Sequence, residues 1–309
     1  MELRHLRYFV TVAELGSISR AAAKLFIAQP PLSAQIRQLE NEVGTPLLVR
    51  LHRGVRVTPA GQAFLQDARA ILARADLAKA RARELSDGQR STLRVGLVPT
   101  ATQLLLPSLI QRLQHAQLVT RVEGQELVPS ARQLQAIRNA ELDMGFIRPG
   151  SASHREEQVM AMDDPYCVAL PHGHALAQSG GPLEATALEK ERFVAFSRYA
   201  ESDYFDQTTA VCEAAGFQPD VRHTATQFMS VLAMVGHGLG VAIVPASCAL
   251  MAGHEVVLRR LSGTERKSEL VLIAGADLRA DPWGQQVTEQ ATQELLALES
   301  RLKRLPVFA

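Results

Sequence analysis

A chain of 309 residues, 47% apolar and 21% charged, is too long for one ordinary core and has the make-up of a globular protein with two or more domains. Its net charge of +1 is unevenly spread: residues 1–90 carry 14 Lys/Arg against 8 Asp/Glu, net +6, so the remainder is net −5, a basic head on an acidic body. Three isolated cysteines argue against a disulfide framework or a zinc site, and the absence of a signal-peptide layout or an eighteen-residue apolar run argues against secretion or a membrane span, so a cytoplasmic protein is expected.

In chain order, Leu3, Leu6, Phe9, Val10 and Ala13 recur at helical spacing until Gly16, which predicts a first helix. Ser17 suits the N-cap of a short second helix with Ala21, Ala22 and Leu25 inward, followed by a turn at Phe26 to Ala28. A third helix has Leu32, Ile36, Leu39 and Val43 on one stripe, Pro30 and Pro31 in its first turn and Gly44 past its end. Its other face shows Gln29, Ser33, Arg37 and Gln38, the layout of a helix that reads the major groove: Gln29 could address an adenine edge and Ser33 a phosphate or base. Leu47 to Leu51 and Val55 to Thr58 read as strands around His52-Arg53-Gly54, and Arg50, Arg53 and Arg56 make that hairpin a basic wing.

These residues resemble a known family. The runs Ser17-Ile18-Ser19-Arg20-Ala21-Ala22-Ala23-Lys24-Leu25, Gln29-Pro30-Pro31-Leu32-Ser33, Gln35-Ile36-Arg37-Gln38-Leu39-Glu40 and Gly44-Thr45-Pro46-Leu47-Leu48-Val49-Arg50 look like the LysR-type transcriptional regulators. Two positions depart from the family pattern, Ala34 where an arginine is usual and Ala28 where a small hydroxyl residue is usual. Binding then rests more on Gln29, Ser33 and the wing, with Pro30, Pro31 and Arg37 the other expected DNA contacts of the reading helix.

Thr58-Pro59 opens a new helix to about Ser86, and Phe64, Ala68, Ile71, Ala75, Ala78, Ala82 and Leu85 form a heptad seam of mostly small residues, read as a dimerisation helix. The resemblance implies assembly to dimers and tetramers and a near-palindromic operator in double-stranded DNA. The domains are expected at 1–58, 59–88 and 92–309.

From Leu93 onward short apolar runs alternate with helical patterns, as in parallel α/β sheets. Strands are predicted at 93–98, 119–123, 144–147, 166–170, 193–196, 240–244, 255–258 and 270–274, with helices at 104–115, 131–140, 228–235 and 283–304. This resembles the family's two-lobed, periplasmic-binding-protein-like effector domain, with lobe I at about 92–162 and 263–309 and lobe II at about 163–262. Ligands of open parallel sheets sit beyond the carboxyl ends of strands. Thr100, Thr102, Ser130, Ser197, Thr226 and Gln227 fall at such places, Arg148 could add a charge, and the resemblance selects Thr100, Ser130 and the Phe196-Ser197-Arg198 loop as effector contacts.

Enzyme motifs are not met. Gly236-His237-Gly238-Leu239-Gly240 lies between a helix and the next strand, the reverse of a nucleotide-binding order, and reads as a helix stop. His172-Gly173-His174 has no third ligand near it and reads as a solvated loop. No catalytic residue, metal or cofactor is expected. The expectation is an effector-responsive regulator, sensing a carboxylate-bearing or aromatic metabolite and acting on RNA polymerase as an activator that could repress its own gene. The alternative is a small-molecule binding protein whose N-terminal helices serve only assembly.

Overall fold

The structure, a computed structural model, describes residues 1–51, 54–86, 92–126, 129–150, 154–178, 181–198, 204–263 and 268–305. Arg53 and the side chain of Leu85, both singled out above, lie outside the described residues. The chain divides into two compact units, the first ending at Gln89 and the second holding nearly all of the rest.

The first unit opens with α1 (Leu3–Leu15), closed by Gly16 in the left-handed region, then α2 (Ile18–Lys24), whose N-cap Ser17 accepts from the Arg20 amide. α3 (Gln29–Val43) follows, with β1 (Leu48–Arg50) and β2 (Val55–Val57) paired antiparallel. Leu6, Phe9, Val12, Ala21, Leu32, Ile36, Leu39 and Leu47 bury the stripes of the three helices in one core. The wing is pressed onto the helices by a close backbone approach. The Val55 amide donates to the Gly16 carbonyl at 3.0 Å, and a Cβ on Gly54 would lie 2.4 Å from that same oxygen, so only glycine fits there.

α4 (Pro59–Ser86) is started by Thr58, whose hydroxyl accepts from the Gly61 amide at 2.8 Å. Its first turns pack on α1 through Leu65, Ala68 and a Phe9–Phe64 ring contact at 5.5 Å. Beyond Ala68 the predicted seam leaves this core: Ile71, Ala78 and Ala82 are exposed and Ala75 is half-buried.

The second unit has two sheets. In the first lie β3 (Thr92–Leu97), then α5 (Pro99–Leu104), α6 (Leu106–His115), β4 (Arg121–Glu126), α7 (Ser130–Arg138), β5 (Met144–Ile147) and β6 (Gln158–Asp163). The chain then crosses to the other lobe for β7 (Tyr166–Pro171), β8 (Leu183–Glu184), β9 (Arg192–Phe196), α8 (Tyr204–Ala214), β10 (Asp220–Ala225), α9 (Phe228–Gly236), β11 (Ala242–Pro245) and β12 (Val256–Ser262). It returns with β13 (Glu269–Ala274), α10 (Ala276–Ala280) and α11 (Pro282–Lys303), and Trp283 Nε1 donates to the Leu118 carbonyl at 2.7 Å.

Strand order in lobe I is β4-β3-β5-β13-β6, with β3 parallel to β4 and β5, and β13 antiparallel to β5 and β6. Lobe II has β11-β7-β12-β8 with antiparallel central pairs, plus the parallel pair β10-β9, joined to β11 by a Phe193–Val241 bridge. The expectation of parallel sheets therefore holds only for part of each lobe. A chain that crosses between lobes and returns must bring strands back in the opposite sense. The strands Gln158–Asp163, Leu183–Glu184 and Asp220–Ala225 were not foreseen.

Candidate DNA-reading head and effector cleft

In the head, Gln29, Pro30, Pro31 and Arg37 are exposed on α3 and Arg50 and Arg56 on the wing, with Ser33 half-buried between them. Arg50 Nη2 donates to Ser33 Oγ at 3.1 Å, so helix and wing present one continuous polar surface. Ser19 Oγ donates to Gln29 Oε1 at 3.0 Å, steadying that amide from α2. Ala28 caps α3 without a side-chain bond, and Pro30 and Pro31 have no N–H. This helix start is therefore poor in the free N–H groups that usually grip a phosphate, and anchoring falls to side chains.

One residue the sequence reading passed over stands beside this surface. Phe26, three residues before Gln29, has φ +55° and its ring is 95% exposed. A left-handed backbone costs a non-glycine residue roughly 1–2 kcal/mol. The fold accepts that cost without burying the ring.

In the second unit Thr100 follows the carboxyl end of β3, Arg148 that of β5, and Ser130 opens α7 after β4. Arg148 Nη2 donates to Thr100 Oγ1 at 3.2 Å, Ser247 Oγ at 3.1 Å and Asp164 Oδ2 at 2.5 Å, and Nη1 to Ser268 Oγ at 3.3 Å. Ser130 Oγ donates to the Arg148 carbonyl at 2.6 Å. Asp164, fully buried just after β6, also accepts from the Ser247 amide at 2.7 Å and hydroxyl at 2.6 Å. Burial is the largest influence and lowers the Arg148 guanidinium, but the Asp164 charge and hydrogen bond, together with the nearby Tyr204 and Cys248, outweigh it and hold Arg148 above its ordinary value. Here the expectation needs correcting: Arg148 is not a spare cation but half of a buried ion pair, set where the chain crosses between lobes. Its Nε is buried with no partner among the described residues.

The remaining expected contacts divide. The Ser197 amide donates to the Ala225 carbonyl at 2.8 Å, bringing Ser197 beside Thr226 and Gln227 at the ends of β9 and β10, and Gln227 Nε2 donates across the lobes to Glu126 Oε1 at 3.4 Å. Thr102 Oγ1 bonds back to the Val98 carbonyl at 3.4 Å, within its own helix start. Phe196 departs from the expectation. Its ring is buried against Phe228 at 5.1 Å and Tyr204 at 6.1 Å, because strand alternation turns it into the lobe II core. Arg198 is exposed, paired with Asp206 at 2.6 Å and stacked over Phe205 at 4.7 Å. Cys167, Cys212 and Cys248 are buried; burial pushes the Cys167 and Cys212 thiols up to about 12 and the Cys248 thiol well above its ordinary value, which marks all three as inert packing groups. His174 engages Glu191 at 3.3 Å rather than a metal-like cluster.

Comparison with known proteins agrees over nearly the whole chain. Residues 3–62 match the model for the bacterial regulatory helix-turn-helix protein, lysR family, and residues 86–295 match the LysR substrate binding domain. The Hca operon transcriptional activator HcaR of Escherichia coli (strain K12) is 39% identical over 263 residues, covering 85% of this chain and 88% of the relative. A probable cat1 operon transcriptional activator of Acinetobacter lwoffii is 33% identical, covering 88% of this chain and 89% of the relative. Among solved structures, CbnR, a LysR family transcriptional regulator, is similar with TM-score 0.67 and 25% identity over 96% of this chain and 99% of that one. Full-length CbnR in complex with its target DNA gives TM-score 0.66 and 25% identity over 96% and 100%. With a helix-turn-helix head, a basic wing and a two-lobed body in one polypeptide, this chain belongs to the LysR family of DNA-binding transcriptional regulators and is not an enzyme.

Proposed function

We propose that the chain is a cytoplasmic transcriptional activator that binds a near-palindromic operator as a dimer of dimers and responds to a small carboxylate-bearing or aromatic metabolite held between its two lobes. The observation that carries the reading is that one chain joins the Gln29–Arg37 face and basic wing to a two-lobed body in which Thr100, Ser130, Ser197, Thr226 and Gln227 follow strand ends. No helix of the described residues is long and apolar enough to cross a membrane. Relatives named as activators of the Hca and cat1 operons support the direction of regulation, which requires contact with RNA polymerase. Ile71, Ala78 and Ala82, left exposed along α4, supply small apolar residues for pairing with a second copy. Hydroxyl and amide donors at the strand ends, such as Ser130 and Gln227, suit a carboxylate, and closure of the lobes on it would shift the tetramer between two shapes.

The test is sequence selection from random duplex DNA by the purified protein at two salt concentrations. A salt-sensitive site with two-fold symmetry, lost in Arg53→Ala, is expected; recovery of no enriched site would refute the reading and return the chain to the class of plain binding proteins.

Phe26 is assigned to the same surface, its ring packing on deoxyribose or a thymine methyl beside the α3 contacts. Phe26→Asn places a residue tolerant of the left-handed region there. Thermal unfolding should then occur at an equal or higher temperature while operator affinity falls; a parallel loss of stability would assign the ring to folding instead.

A further inference from the structure

Lobe II has a second concavity, of about 630 Å³, within the range of small-ligand sites. Lys190, Arg192, Arg222, His174 and His223 line it, and among the described residues Glu191 is its one acidic wall residue. Glu191 is engaged by His174 at 3.3 Å, and Arg222 by Asp220 at 2.8 Å. Lys190, Arg192 and His223 have no hydrogen-bond or ion-pair partner for their side chains among the described residues. This concentration of unanswered positive charge stands out on a body that is net −5.

The position separates it from the effector cleft. Arg192 begins β9 and Ser197 follows its end, so the two sites lie about 16 Å apart along a five-residue strand. β9 runs parallel to β10, and the Phe193–Val241 bridge brings in the segment leading to β11 in the same sense. The concavity thus gathers the amino ends of three strand segments. Its back wall is closely packed: Gly240 has φ +151°, and a Cβ there would lie 2.5 Å from the Arg192 carbonyl oxygen. The carboxyl end of α9 also points to this region, and its partial negative charge accounts for one neighbouring cation. It does not account for Lys190 and Arg192, which precede and open a strand.

We infer that this concavity is a second ligand site, for a small polyanion bearing a phosphate group or at least two carboxylates, held by Lys190 and Arg192 on one side and Arg222 and His223 on the other. A concave site of this size suits a metabolite, and forked guanidinium donors suit phosphate and carboxylate oxygens alike. Its occupation would add a second chemical input to lobe II.

Titration calorimetry of the full chain at low salt, without DNA, with inorganic pyrophosphate in one arm and citrate in the other, tests this. Saturable binding of at least one, with one site per chain, is expected. The double variant Lys190→Gln/Arg192→Gln and, separately, Arg222→Gln should each weaken it about tenfold or more, while Arg301→Gln, which removes an exposed charge from α11, leaves it unchanged. The arm that binds more tightly identifies phosphate or carboxylate as the chemistry. Trp283 fluorescence verifies that each variant melts as the parent does. Absence of saturable binding in both arms, or equal weakening by Arg301→Gln, overturns the assignment.

Discussion

Replacing Asp164 with alanine is expected to destabilise the second unit by about 3–5 kcal/mol, the cost of leaving a buried charge without its counter-ion. The carboxylate is fully buried and accepts from Arg148, the Ser247 hydroxyl and the Ser247 amide, all within 2.7 Å. Removing it strands the Arg148 guanidinium, itself buried, among three hydroxyls that cannot neutralise it. Denaturant unfolding followed by the single tryptophan, Trp283, reads the relevant unit, because its indole is bonded to the Leu118 carbonyl within lobe I. The double variant Asp164→Asn/Arg148→Met should lose much less than Asp164→Ala, since it removes both charges together. Equal losses would show that the pair acts as two separate packing groups.

Asp164 also marks where the sequence stops being informative. Two acids and a proline adjoin in Asp163-Asp164-Pro165, and nothing local says which carboxylate turns inward; the crossing between lobes decides it by bringing up Arg148 and Ser247, 16 and 83 residues away. Local chemistry was sufficient for the head. Apolar spacing, the Ser17 and Thr58 caps and the stops at Gly16 and Gly44 delimit α1 to α4 closely, because each signal acts within a turn or two. Met144–Ile147, buried at every residue, was equally legible. β10 was not, because Asp220–Ala225 is mostly exposed and polar and owes its form to pairing with β9. The same limit applies to the candidate site. Residue types showed hydroxyls at strand ends, but only packing shows that Phe196 faces the core and Arg148 is already paired.

At the DNA surface, Gln29→Ala should cost about 1–3 kcal/mol of discrimination at one base pair in each half-site, roughly 5- to 150-fold, with little change elsewhere in the operator. Gln29 is exposed in the first turn of α3, and the Ser19 hydroxyl already holds its carbonyl oxygen, which leaves the amide donors directed by the protein rather than by solvent. An amide so fixed can donate to one purine acceptor while its oxygen still has a lone pair for an adenine amine, the two-point contact that separates adenine from the other bases. The wing behaves differently. Arg50 is tied to Ser33 and lies beside a helix start that lacks a cap oxygen and two N–H groups, so its charge goes to positioning. Arg50→Ala should therefore weaken binding to all sequences alike and reduce the salt slope by about one counter-ion per head. Titrations against single-base operator variants at several salt concentrations separate the two effects. A uniform loss in Gln29→Ala, or a base-specific loss in Arg50→Ala, would exchange the roles and move the reading contact from the helix to the wing.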